Sequence, residues 1–211
     1  MQDRLAALFW LSCLASSGCG QVVGLGDERT YDSENCHGAG LWAKRYGDAS
    51  AQFASDAVSD GAGGVIIAGF FAGALELGGP PLISKGGTDI FLARLDGSGR
   101  ALWSKRFGGV DNQNGIMTLT AVGDGIILSG EVRGTADFGG GPRTALGFAD
   151  GFIAKYDPAG NYLWSLTIAG DAAIHSELVT NVAVDGQGSL YLSVVFTGTI
   201  TFDEQNFTSK G

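Results

Sequence analysis

The side chains able to do chemistry in this chain are few, and most of them recur. Asp96 and Asp157 each open a turn, and Asp185 opens another. Recurring carboxylates could hold calcium, which needs several oxygen ligands close together, as in Asp-x-Asp-x-Asp-Gly. Each turn here offers one carboxylate, so the side chain is expected to bond its own turn backbone. Asp89 and Asp150 recur as well and are expected to be structural. Trp42, Trp103 and Trp164 stand 61 residues apart. They could form an aromatic platform for sugars, but a once-per-repeat aromatic is a packing device between neighbouring sheets. Packing is the role expected of them. Cys36 and His37 are adjacent and could ligate a metal, yet no second pair at metal-site spacing accompanies them. His175 is one of 2 histidines. Nucleophilic catalysis needs a nucleophile beside a base held by a third group. No such constellation is marked in the sequence. The expectation is a protein without catalytic residues, cofactor or metal, with calcium at the turns as the weaker alternative.

Binding is expected on loops instead. Polar, variable segments follow each tryptophan: Asp48 to Gln52, Asp111 to Asn114, and Asp171 to His175. Binding residues on repeat scaffolds concentrate on such loops. Asp48, Gln52, Asp111, Gln113, Asp171 and His175 are the candidates. A formal charge of −9 and a pI of about 4.5 argue against nucleic acid as a partner. The basic pair Lys44-Arg45 recurs as Lys105-Arg106 but becomes Leu166-Thr167 in the third copy. It is therefore not obligatory and is expected at a solvated strand end.

These residues sit on a repeat, the most informative feature of the chain. Leu41-Trp42-Ala43-Lys44-Arg45-Tyr46-Gly47 returns as Leu102-Trp103-Ser104-Lys105-Arg106-Phe107-Gly108, and in part as Leu163-Trp164-Ser165. Asp89-Ile90-Phe91-Leu92-Ala93-Arg94-Leu95-Asp96 returns as Asp150-Gly151-Phe152-Ile153-Ala154-Lys155-Tyr156-Asp157, with Gly99 matched by Gly160. Phe138 and Phe202 stand 64 residues apart, which implies a three-residue insertion in the third copy. Glycine supplies 36 of 211 residues, well above the usual ~7%. With only 4 prolines and no three-residue period, this suggests tight turns between short strands.

Each repeat predicts four strands. The first carries the tryptophan. The second is a run apolar on both faces: Val65 to Ala68, Ile126 to Leu128, Leu190 to Leu192. The third alternates, with Leu75 and Leu77, Ala136 and Phe138, Ile200 and Phe202. The fourth is Phe91 to Leu95 and Phe152 to Tyr156. Four strands in a unit of this length predict an all-β fold, a partial β-propeller of about two and three-quarter blades. The repeats are expected at 41–101, 102–162 and 163–211, the last incomplete.

The pattern Asp-x-Phe-[Leu/Ile]-Ala-[Arg/Lys]-[Leu/Tyr]-Asp-x-x-Gly-x-x-Leu-Trp resembles the SBBP-type bacterial β-propeller repeat. Val182-Ala183-Val184-Asp185-Gly186-Gln187-Gly188 fits the segment that precedes an apolar strand in that family. The resemblance covers residues 41 to 211. It implies an exported or cell-surface bacterial protein, often a lipoprotein, and transfers no catalytic residue. Asp96-x-x-Gly99-x-x-x-Trp103 is also similar to the tryptophan-docking motif of quinoprotein propellers, though it is one residue shorter and lacks the Thr before Gly.

The N-terminus reads as an export signal over residues 1–18. Leu5 to Ala15 is an apolar run of the length of a signal-peptide core, too short for a membrane-spanning helix. Ser16-Ser17-Gly18-Cys19 resembles a lipobox, although that motif prefers Leu, Val or Ile where Ser16 stands. Cys19 would then carry the lipid anchor. In the other reading, cleavage before Gly18 leaves Cys19 free to pair with Cys36. Residues 19–40 read as a flexible linker. The repeat alignment leaves the third copy without its last strand. A longer protein, or chains completing one another, is expected. The functional expectation is an exported, non-enzymatic surface scaffold binding a protein or glycan. A fragment of a quinoprotein-like enzyme is the alternative.

Overall fold

The computed structural model describes residues 44–113, 115–123, 125–170, 177–202 and 205–210. The signal peptide, Cys19, the linker with Cys36 and His37, Trp42, Asp171 and His175 lie outside them. Every regular element among the described residues is a β-strand, and the pairing is antiparallel throughout. No described helix is long and apolar enough to cross a membrane.

The first sheet has four strands: β1 (Gln52–Ser59), β2 (Val65–Phe71), β5 (Asp89–Leu95) and β6 (Ala101–Phe107), in that spatial order. The hairpin of β3 (Ala74–Leu75) and β4 (Leu82–Ile83) lies between β2 and β5 in sequence, outside the sheet. The second sheet repeats the plan with β7 (Met117–Val122), β8 (Gly125–Val132), β11 (Asp150–Tyr156) and β12 (Tyr162–Ile168). Its hairpin is β9 (Thr135–Asp137) with β10 (Pro142–Thr144). A third unit begins with β13 (Leu178–Val184) paired to β14 (Leu190–Val195). Its hairpin is β15 (Thr199–Phe202) with β16 (Gln205–Thr208).

Two strand expectations change. The tryptophan strand closes its sheet rather than opening it, because β6 pairs with β5 of the same unit. A sheet therefore runs from residue 52 to 107 and straddles the expected boundary at 101. The opening strand is β1, which starts at Gln52, inside a segment expected to be loop. The alternating segment is a strand, as expected, but it pairs in a separate two-stranded hairpin rather than in the main sheet of its unit. Leu75 and Leu77 turn inward from the β3–β4 region, and their alternation reflects packing of that region onto the sheet.

The apolar runs have a direct cause. Successive strand residues point to opposite faces, and both faces of the first two sheets are covered. Ile66, Ala68, Ile90 and Leu92 face the second sheet and share a core with Met117, Leu119, Ile126, Phe152 and Tyr156. Val65, Ile67, Phe71 and Phe91 face the other way, under Tyr46, Leu75 and Leu77. Ile127 and Ile153 turn toward Val179 and Val182 of the third unit. The opening strands of successive units are also tied. The Leu119 amide donates to Asp56 Oδ2 at 2.8 Å, and Thr120 Oγ1 donates to the Val182 carbonyl at 2.7 Å.

Candidate functional site

The two described candidate loops, Asp48 to Gln52 and Asp111 to Gln113, lie against the segments that lead into the β3–β4 and β9–β10 hairpins. Their polar side chains are used to hold the loops. Asp48 accepts from the Ser50 amide at 2.7 Å and the Ala74 amide at 2.8 Å. It also accepts from Gln52 Nε2 at 2.8 Å, and that nitrogen reaches the Ala72 carbonyl at 3.3 Å. The bonds from Ala74, Ser50 and Gln52 stabilise the carboxylate and hold its pKa down to about 2. Gln113, 61 residues on, repeats the strap. Its Oε1 accepts from the Arg133 amide at 2.9 Å and its Nε2 donates to the Arg133 carbonyl. Asp111 lies against Gly134, as Asp48 lies against Gly73. Asp48, Gln52 and Gln113 thus fasten the loop after the tryptophan strand to the following hairpin.

Asp89 and Asp150 start β5 and β11, and both are fully buried. Asp89 takes Arg106 Nη1 at 2.5 Å and the Lys85 amide at 2.9 Å. Position 167 is Thr where the first repeat has Arg106. Asp150 accepts instead from the Leu146 and Gly147 amides, at 3.0 and 3.3 Å.

What remains exposed beside these loops was not anticipated from sequence. Val110, Ile116, Leu146 and Phe148 all stand open to solvent. The Arg133 guanidinium lies 4.5 Å from the Phe148 ring centroid and pairs with Glu131 at 2.8 Å. The only sequence signal is a departure from the repeat: Phe148 stands where the first copy has Gly87.

The opposite end of the sheets carries the aspartate turns. Asp96 Oδ1 accepts from Ser98 N, Ser98 Oγ and Arg100 N, at 2.8, 2.7 and 3.1 Å. Asp157 takes Asn161 N at 2.8 Å and Asn161 Nδ2 at 2.9 Å. Asp185 Oδ1 takes Gln187 N and Ser189 N, both at 2.9 Å. These bonds lower all three carboxyl pKa values, led by the Ser98 hydroxyl, the Asn161 side chain and the Ser189 amide respectively. Among the described residues no group of three or more His, Cys, Asp or Glu could hold a metal.

At the same end Trp103 reaches across repeats. Its Nε1 donates to the Pro158 carbonyl at 3.1 Å, and Arg94 Nη1 donates to the same oxygen at 2.8 Å. Gly160 (φ +83°) is needed here, because a Cβ would sit 2.9 Å from the Trp103 ring. Gly99 shares this left-handed conformation at φ +74°. Trp164 is half-buried against the core shared by the second sheet and β13. A cleft of about 280 Å³ opens between Asp60, Arg94, Val122, Gly125 and Pro158. Asp60 pairs with Arg94 Nε at 2.9 Å, so the charges lining it are already partnered.

No protein-family model matches the chain. The chain is similar to the regulatory protein FlaEY of Caulobacter vibrioides, with 26% identity over 124 residues. That match takes in 57% of this chain and 12% of the length of FlaEY.

Proposed function

We propose that this protein is an exported, membrane-anchored scaffold built on β-propeller repeats of the SBBP type, which binds a protein or glycan through one end of its sheets. The observation that carries this reading is the division of labour at the loop end. Asp48, Gln52 and Gln113 spend their polar atoms on backbone, while Val110, Ile116, Leu146 and Phe148 face solvent beside the half-buried Arg133. Exposed apolar groups beside an arginine suit recognition better than acid–base chemistry. The propeller reading rests on the sequence repeat and on sheets packed face to face, with opening strands tied to each other. Export and anchoring rest on Leu5 to Ala15 and Cys19.

Two measurements test this. Metabolic labelling with a lipid precursor in a bacterial host should mark the protein, and Cys19→Ser should abolish the label. Binding to a bacterial surface fraction or glycan array should fall at least tenfold in a Phe148→Ala, Arg133→Ala double variant. Unchanged binding would move the site elsewhere.

One geometry favours a second reading, a fragment of a quinoprotein-like enzyme. Trp103 seats on the Gly160 turn of the next repeat, as a tryptophan-docking motif requires. Visible absorbance from a bound quinone in purified protein would decide for it.

A further inference from the structure

Four exposed apolar side chains of the second unit converge on one short segment, Glu131 to Thr135. Each is more than half open to solvent, from 56% for Phe148 to 83% for Val110, with Ile116 and Leu146 between. Backbone contacts bring their segments together. Gly109, next to Val110, lies against the Thr135 carbonyl, and Asp111 lies against Gly134. The Ala145 amide, next to Leu146, donates to the Gly134 carbonyl at 2.7 Å. Gly115, next to Ile116, packs on Glu131, and the Phe148 ring lies under the Arg133 guanidinium. The first unit builds no such group, since Lys85 and Gly87 stand where the second has Leu146 and Phe148. Because both apolar residues remain exposed, the packing of the second unit does not account for them.

The polar groups around this segment decide what can cover it. Most are already engaged. Gln113 holds the Arg133 backbone, and Asn112 Oδ1 accepts from the Thr88 amide at 3.2 Å. The Thr135 and Thr144 hydroxyls pair at 2.8 Å, and Glu131 takes Arg133 Nη2 at 2.8 Å. A sugar ring carries hydroxyls around its rim, and each one buried here would need a partner that these groups no longer offer. Aliphatic and aromatic side chains of a polypeptide carry no such requirement and bury apolar surface directly.

Charge narrows the occupant further. Glu131 balances Arg133, so the centre of the patch is neutral. Its rim is not. Asp111, beside Val110, is exposed and forms no ion pair among the described residues. The whole chain carries a formal charge of −9. A cation on the approaching surface would be drawn in by that field and would pair with Asp111 on contact.

We propose, on the reading that the surface around Phe148 binds a ligand, that its occupant is a polypeptide and not a glycan. The segment that binds presents aromatic or aliphatic side chains to Val110, Ile116, Leu146 and Phe148, and a Lys or Arg to Asp111. The apolar anchors supply the affinity, and the basic residue sets the orientation and speeds encounter.

The test offers the intact chain to a display library of random peptides and, in parallel, to a glycan array. Selected peptides should be rich in Phe, Trp or Leu and carry Lys or Arg, and their on-rates should fall as salt rises. Their affinity should fall at least tenfold in Phe148→Ala and about fivefold in Asp111→Asn. Replacing the basic residue of the peptide by Gln should cost the same as Asp111→Asn, and combining the two should add nothing further. The peptide change leaves the protein untouched, so folding does not confound it. Glycan binding that Phe148→Ala removes, with no peptide selected, would overturn this inference and leave the binding reading standing. Selected peptides without a basic residue, or indifferent to Asp111→Asn, would overturn the pairing at the rim. Peptides that bind the Phe148→Ala chain equally well, or no binding of either class, would overturn the inference and the binding reading together.

Discussion

β8 and β14 carry closely related runs, Ile126-Ile127-Leu128-Ser129 and Leu190-Tyr191-Leu192-Ser193, yet they meet different environments. All four residues of the first run are buried, and Leu190 and Tyr191 of the second are exposed. Apart from Tyr191 in place of Ile127 the two runs are alike, so composition alone does not explain the contrast. β8 has a strand on each side and a sheet over each face, while β14 has one neighbouring strand among the described residues. In stacked sheets burial is conferred by the next unit, so stability concentrates where units meet.

The widest separation should come from core truncation. Phe152 is fully buried and stacks on Phe138 with centroids 4.3 Å apart. Phe152→Ala is expected to cost about 3–5 kcal/mol in urea unfolding. Tyr191→Ala should stay within about 0.5 kcal/mol, as surface changes do. Equal losses at both sites would break the contrast between sealed and open sheets.

The buried aspartates sharpen it between the two complete sheets. Arg106→Leu would leave the Asp89 carboxylate buried without its cation, at a cost of about 3 kcal/mol. Asp150 shows that two backbone amides suffice where no arginine is present. A small loss in Arg106→Leu would mean that the first sheet can adopt the second sheet's solution.

Two glycines give a smaller, cleaner difference. Gly160 and Gly188 have φ of +83° and +88°, so alanine strains both alike, by about 1–2 kcal/mol. An added Cβ at Gly188 meets nothing within 4 Å, whereas at Gly160 it meets the Trp103 ring. Gly160→Ala should therefore lose more stability than Gly188→Ala and also shift tryptophan emission. Identical behaviour would remove Trp103 as a bond between repeats.

Much of this architecture was legible in the residues. The 61-residue spacing located equivalent strands, and runs apolar on both faces implied sheets covered on both sides. The single carboxylate per turn anticipated backbone capping, which Asp96, Asp157 and Asp185 carry out. The opening strand was not read as a strand, and its first residue fell in a segment expected to be loop because Asp48, Ser50 and Gln52 are polar. Their polarity serves the hairpin straps, and Gln52 starts β1 all the same. The order of strands within a unit was illegible for a different reason. A repeat has the same period wherever it is cut, so only the pairing of β5 with β6 shows that the tryptophan strand comes last. The exposed group around Phe148 left no period to read, because it exists only where the second repeat departs from the first.

The smallest effects belong to the segment that docks on the first sheet, where two groups two residues apart should titrate at opposite extremes. Burial, aided by the nearby Asp96 charge, pushes the Tyr46 hydroxyl up to about 12, where it donates to the Gly99 carbonyl. A raised phenol pKa means that the folded state favours the protonated form. Its contribution is complete below the ordinary value of 10.0 and disappears as pH rises through about 12. Asp48 has the opposite sign. Its contribution is complete above the ordinary 3.8 and disappears as pH falls toward about 2. Tyrosine absorbance should therefore include a late-ionising group that Tyr46→Phe removes. The carboxyl carbon resonance of Asp48 should have its midpoint near 2, and Gln52→Ala, which removes one of its donors, should move it upward. If Asp48 titrates at its ordinary value while Tyr46 remains late, the segment is anchored through its core side chain alone and the hairpin strap opens in solution.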